Sequence, residues 1–196
     1  MAYPYKKMTS QDCDYIRSVT APDRVWVGEE IASEYYRDEM PEYGVYQPDL
    51  YVEVVNKEEV SAIMAYAYKE NIPVVCRGAG TGLAGGATCK YGGIMLSIMR
   101  MNKIFPIDRK NQTITAQPGA LLIDIQAAAA AGGLFYPPDP GEKTASIGDI
   151  CHYKCRRYES GPLRTDERFC PLYRGSYAGR IDHEFFIQCC EKYNRI

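Results

Sequence analysis

Between Asn56 and Asn71 the residues Val60, Ile63, Met64, Ala67 and Tyr68 form an apolar stripe at the i, i+3, i+4 spacing of a helix with one face in a core. Asn56 and Glu59 sit where a capping box would, the Asn oxygen on the N3 amide and the Glu reaching back. Asn71 and Pro73 end the helix. Ahead of it lies a β-rich run, Tyr51 to Val55, and behind it Val74-Val75. Asp12 to Val19 and Glu29 to Arg37 suit short helices around a strand Val25–Val27, and Gly93 to Ile98 suits another strand. Ile104 to Ile107 and Thr113 to Ala116 flank the polar turn 108–112, which predicts a hairpin. An alanine-rich helix, Leu121 to Ala131, stops at Gly132-Gly133. This order predicts an α+β fold of two layers on a mixed sheet.

Val74-Val75-Cys76-Arg77 leads into a loop with five glycines in nine residues, Gly78, Gly80, Gly82, Gly85 and Gly86, with Ala79 and Thr81 among them. Without Cβ atoms, successive backbone N–H groups can turn toward one anion, and Arg77 adds a fixed positive charge. The same composition also suits an ordinary flexible turn. Gly80-x-Gly82-x-x-Gly85 has the letters of the dinucleotide fingerprint, but the residues that follow predict a turn and a strand where that fingerprint needs a helix. No GxxxxGK[ST] occurs. A phosphate bound here is held by backbone in an irregular segment.

Arg-Gly-x-Gly-Thr-x-Leu-x-Gly-Gly at 77–86 resembles the pyrophosphate loop of FAD-linked oxidases of the vanillyl-alcohol-oxidase type, which carry the PCMH-type FAD-binding domain. The resemblance runs from about Asp23 to Gly148. It takes in Asp49-Leu50, Glu58-Glu59-Val60, Ala116-Gln117-Pro118-Gly119, Tyr136-Pro137-Pro138-Asp139-Pro140 and Thr144-Ala145-Ser146-Ile147-Gly148. Within that family the motifs resemble the D subunit of glycolate oxidase and FAD-linked D-lactate dehydrogenases.

The resemblance implies two α/β subdomains with the flavin between them. It implies cofactor contacts from Arg77, Gly78, Ala79, Gly80, Thr81, Gly82, Gly85, Gly86, Pro138, Asp139, Ser146, Ile147 and Gly148, with Thr81 and Ser146 as side-chain donors. Some relatives carry the flavin on a histidine in this loop. The loop here has none, so non-covalent FAD is expected. The implied activity is oxidation of a small 2-hydroxy acid, glycolate or D-lactate, with the flavin supplying the redox chemistry. Relatives draw their substrate base and any metal ligands from a later domain, so no catalytic residue and no metal ligand is assigned.

Composition narrows the partners. A net charge of −2 gives no electrostatic reason to expect nucleic acid. Residues 1–20 lack the apolar core of a signal peptide, and no apolar run is long enough to span a bilayer. A soluble, cytoplasmic location follows as an expectation.

The expected organisation is a helical segment at 1–46, a partial FAD-binding domain at 47–148 and an aberrant tail at 149–196. Three of the eight cysteines lie in residues 1–150 and five in 151–196. Periodicity is lost in the tail. One account is a zinc- or partner-binding module built on Cys151, His152, Cys155, Cys170, His183, Cys189 or Cys190, although their spacing matches no common paired-ligand pattern. The chain would then be a non-catalytic FAD- or nucleotide-binding module.

The other account is a frameshift near codons 148–153. Read one base later, codon degeneracy permits Lys154 to Arg164 to become Asn-Ala-Gly-Gly-Met-Arg-Ala-Val-Arg-Tyr-Gly. Arg168 to Pro171 can become Asp-Phe-Val-Arg, and Cys189 to Ile196 can become Val-Val-Lys-Asn-Thr-Thr-Gly-Tyr. These are family landmarks in order. The tail is then expected to be disordered, and the chain truncated, weak in FAD affinity and inactive alone.

Overall fold

A computed structural model of the chain describes residues 5–136, 141–153, 185–188 and 190–191. It divides into two compact units that meet in sequence at Arg100 and Met101.

The first unit is built on a four-stranded mixed sheet in the order β1-β2-β4-β3. Its strands are β1 (Val25–Val27), β2 (Leu50–Glu53), β3 (Val74–Arg77) and β4 (Ile94–Ser97). β1 runs antiparallel to β2, whereas β2 and β3 both pair parallel with β4, with Leu50 and Val74 each opposite Ile94. β4 is buried at every position, as a strand covered on both faces must be. On one face Tyr51, Met95, Ile31 and Cys89 form a cluster joined by Trp26, Tyr35 and Tyr36. Asp49 stands just ahead of β2, where its Oδ2 accepts the Gly93 amide at 2.7 Å and its own amide donates to the Gly93 carbonyl at 3.0 Å. This fixes the start of β4 against β2.

Two helices complete the unit. α1 (Ser10–Val19) opens with a capping box: the Thr9 hydroxyl accepts from the Asp12 amide, and Asp12 accepts from the Thr9 amide. The buried Asp12 carboxylate also accepts from Lys6 Nζ at 2.7 Å and from the Tyr66 hydroxyl at 2.7 Å. Burial pushes this carboxyl up, but the bonds from Lys6, Thr9 and Tyr66 outweigh it and hold it far below the usual carboxylate range.

α2 (Lys57–Glu70) begins at Asn56, whose Oδ1 accepts the Glu59 amide at 2.8 Å, and ends at Asn71 in the left-handed conformation. Glu59 reaches back past the N-cap to the Val55 amide at 3.0 Å and forms a two-pronged ion pair with Arg24 at 2.8 and 2.9 Å. Arg24 Nη1 also donates to the Glu53 carbonyl at 2.7 Å. Burial raises the Glu59 carboxyl, while Arg24 and the Val55 amide lower it further, leaving it below its ordinary value.

The predicted stripe on α2 holds at Ile63 and Ala67, joined by Glu59 rather than Tyr68. Tyr68 is 78% exposed, and it is Tyr66 that packs on α1, stacked on Tyr15 at 3.9 Å. The helix expected over residues 29–37 is replaced by 3-10 turns at Gly28–Glu30 and Ser33–Tyr36.

The second unit has α3 (Leu122–Ala131), α4 (Ile147–Tyr153) and two short antiparallel pairs. β5 (Thr113–Ala116) pairs with β7 (Phe185–Gln188), and β6 (Leu134–Phe135) pairs with β8 (Cys190–Glu191). The hairpin expectation is met by bridges Ile104–Ala116 and Asp108–Thr113. Its core gathers Ile114, Leu122, Ile125, Tyr136, Ile147 and Ile150. Among the described residues no helix is long and apolar enough to cross a membrane.

Candidate functional site

β3 ends at Arg77 and hands the chain to the glycine loop, which returns to the neighbouring strand β4. Gly78 and Gly80 are buried, Thr81, Gly82 and Gly85 half-buried, and Leu83, Ala84 and Gly86 exposed. The Thr88 hydroxyl donates to the Gly85 carbonyl at 2.7 Å and closes the far turn. Among the described hydrogen bonds, no amide from Gly80 through Gly86 donates to any carbonyl or side chain. Of these residues Gly80 is buried and Thr81, Gly82 and Gly85 are half-buried, so their amides are donors that an anion could accept.

Arg77 lies behind this loop, 7% exposed. Its Nη1 donates to the carbonyls of Arg37 at 3.0 Å and Ala87 at 3.2 Å, and its Nη2 to the carbonyl of Glu34 at 3.4 Å. Its Cζ lies 5.6 Å from the centre of the Tyr35 ring. Among the described residues no carboxylate pairs with it. A buried cation with no carboxylate partner among the described residues therefore stands against Gly80, at the start of the open amides.

Two glycines are required by this packing. Gly80 has φ +78°, and a Cβ there would come 2.3 Å from Arg77 Nη2. Gly85 has φ +68°, and a Cβ there would meet the Tyr43 ring at 2.4 Å. Gly80→Ala is expected to cost about 2 kcal/mol from the strained backbone and the displaced guanidinium. Urea unfolding measures it, and adding Arg77→Ala should make the two losses less than additive.

The other expected contacts are placed differently. Ser146 is fully buried and caps α4: its hydroxyl donates to Asp149 Oδ2 at 2.8 Å and accepts the Asp149 amide at 3.2 Å. The Ile147 amide donates to the Ala120 carbonyl and the Gly148 amide to the Pro118 carbonyl, each at 2.8 Å. The Ser146 hydroxyl and the amides of Ile147 and Gly148 thus have partners inside the second unit. Pro138 and Asp139 lie outside the described residues, as do the side chains of the tail cysteines and histidines. Sequence reasoning missed Asp38 and Tyr43, which lie against the loop at Gly82 and Gly85. They are distant in sequence and follow no periodic pattern that would mark them.

The comparisons with known proteins give the class of this domain. Residues 48–151 match the family model described as FAD binding domain. The chain belongs to this FAD-binding family. It is 43% identical over 146 residues to D-lactate dehydrogenase of Anaerostipes hadrus, covering 74% of this chain and 30% of that protein. It is 40% identical over 115 residues to glycolate oxidase subunit GlcD of Bacillus subtilis, covering 58% of this chain and 24% of that one. The chain spans less than a third of the length of these relatives. In fold it is similar to alkyldihydroxyacetonephosphate synthase, with a TM-score of 0.80 at 14% identity, covering 97% of this chain and 42% of that one. It is also similar to p-cresol methylhydroxylase, with a TM-score of 0.70 at 16% identity, covering 94% and 44%. These likenesses bear out the α+β, PCMH-type expectation.

The donor set suits the diphosphate of FAD. Seven amides and a buried guanidinium offer hydrogen bonds and positive charge, which a bridging pyrophosphate needs.

Proposed function

We propose that this chain is the FAD-binding portion of an FAD-dependent oxidoreductase acting on a small 2-hydroxy acid, glycolate or D-lactate. The observation that carries the reading is the row of open amides from Gly80 to Gly86 beginning beside Arg77, which has no carboxylate partner among the described residues. In this reading the amides of Gly80, Thr81, Gly82, Gly85 and Gly86 hold the pyrophosphate, with the Thr81 hydroxyl as a further donor. Arg77 acts through its charge from behind Gly80, and Gly78 and Ala79 carry the chain over it. The family resemblance implies further FAD contacts from Pro138, Asp139, Ser146, Ile147 and Gly148. FAD supplies the redox chemistry when bound.

Binding is non-covalent, because the loop has no histidine. The chain works in the cytoplasm, a reading supported by the thiols of Cys13 and Cys89, which form no disulfide. Titrating the full chain into FAD should quench flavin fluorescence saturably, and acid precipitation should release all the flavin into the supernatant. No quenching at any protein concentration would remove the FAD reading, and flavin in the pellet would remove the non-covalent one. Neither glycolate nor D-lactate is expected to reduce the bound flavin in this chain alone.

For residues from Asp149 onward the frameshift is the first reading, supported by the shifted-frame landmarks and by a family match that ends at residue 151. One observation favours the second reading, a genuine tail on a non-catalytic module: Phe185–Gln188 pairs with β5 over four residues. The coding DNA past codon 140 decides. A shifted frame that stays open through Asn-Ala-Gly-Gly supports the first, and one that encodes no such landmark removes it.

A further inference from the structure

The segment from Glu34 to Tyr43 lies along the glycine loop and meets it at three places. At one end the Arg77 guanidinium, packed on Gly80, binds the Glu34 and Arg37 carbonyls. At the other the Tyr43 ring rests on Gly85. Between them Asp38 Oδ2 faces Gly82, 4.0 Å from where a Cβ would stand. Asp38 is 6% exposed. Its Oδ1 accepts the Met40 amide at 3.0 Å, whereas Oδ2 is shut from solvent and has no hydrogen-bond partner. A buried carboxylate oxygen without a donor is costly, and the stretch of loop it faces, around Gly82, carries amides that donate to no described acceptor.

We propose that Asp38 is a positioning residue for the glycine loop. When the loop closes on a pyrophosphate, the amide that follows Gly82, that of Leu83, turns onto Oδ2, and that bond fixes the amides of Gly80, Thr81, Gly82, Gly85 and Gly86 toward the ligand. The proposal rests on the reading of the loop as a pyrophosphate site. Direct contact between Oδ2 and the ligand is disfavoured on two grounds: the oxygen is sealed from solvent, and carboxylate and phosphate repel. An amide is the fitting donor because it leaves the Thr81 hydroxyl for the ligand.

Asp38→Asn tests this with the full chain, using FAD and inorganic pyrophosphate as separate probes. The amide oxygen keeps the Met40 turn, and an NH2 group replaces Oδ2 and meets a donor with a donor. Since Oδ2 has no partner in the free chain, the melting temperature without ligand should stay the same or rise. Affinity for both probes should fall about tenfold. A lower melting temperature without ligand would make Asp38 structural and overturn the proposal. Unchanged affinity for both probes would overturn it too. Weaker FAD binding with tighter pyrophosphate binding would replace it with direct ligand contact. Wild-type chain that binds pyrophosphate but not FAD would remove the FAD reading alone, and the pyrophosphate arm would then decide for Asp38.

Discussion

Arg77→Ala is expected to lower the free energy of unfolding by about 3 kcal/mol and to weaken FAD binding at least tenfold. Three carbonyls lose their donor at once, those of Glu34, Arg37 and Ala87. They belong to segments on either side of the glycine loop, so removing the fork also releases the loop's backing. The charge matters separately. A guanidinium with no carboxylate partner adds to the attraction of a bound diphosphate, and alanine removes it. Arg77→Lys separates the two effects. Lysine keeps the charge but cannot span three carbonyls, so it should restore more of the affinity than of the stability. Urea unfolding paired with FAD titration reads both. Equal recovery of the two would show that charge and bracing are not separable here.

Glu59→Ala is expected to cost about 3–5 kcal/mol, because it leaves the buried Arg24 without its hydrogen-bonded carboxylate. The side chains of Arg24 and Glu59 are 10% and 11% exposed, so water cannot take the place of the missing carboxylate. Pairing the change with Arg24→Met should recover much of the loss, since two apolar groups avoid the desolvation of both charges. The same pair sets an acid limit. Glu59 titrates lower in the folded chain than in the unfolded one. Its contribution is therefore fully present above the unfolded value of about 4.3 and is lost as the pH falls through the folded value. Asp12 is held down in the same direction. Chemical denaturation between pH 6 and pH 3 should show a falling midpoint in the wild-type chain and a shallower fall in Glu59→Ala.

The regular elements were legible where a local signal set them. Asn56, Asn71 and Pro73 bound α2 because capping and chain reversal are short-range chemistry. The glycine loop was legible as an irregular segment between β3 and β4, because glycines and turn formers follow Arg77 where a helix would need helix formers. Residues 29–37 were misread as a helix for a tertiary reason. A continuous helix would give the Glu34 carbonyl to the Asp38 amide, whereas here it bonds Arg77, forty-three positions on. Tyr68 was misplaced for a similar reason: α1 offers Asp12 and Tyr15 to Tyr66, a better match for a hydroxyl-bearing ring. Ser146 carried a motif that fits both a helix cap and a ligand donor, and its three-residue spacing to Asp149 made the cap.

The strand order β1-β2-β4-β3 also sets the order in which the first unit can assemble. Among the described strands, β3 has one neighbour, β4, and β4 is the last of the sheet's four strands to be made. As the chain leaves the ribosome, β1, β2 and α2 can associate early through contacts close in sequence. Residues 74–93 have no register until residues 94–97 arrive and slot between β2 and β3. The glycine loop is therefore among the last parts of the unit to take shape during synthesis, and its ligand can have no hold on the earlier steps.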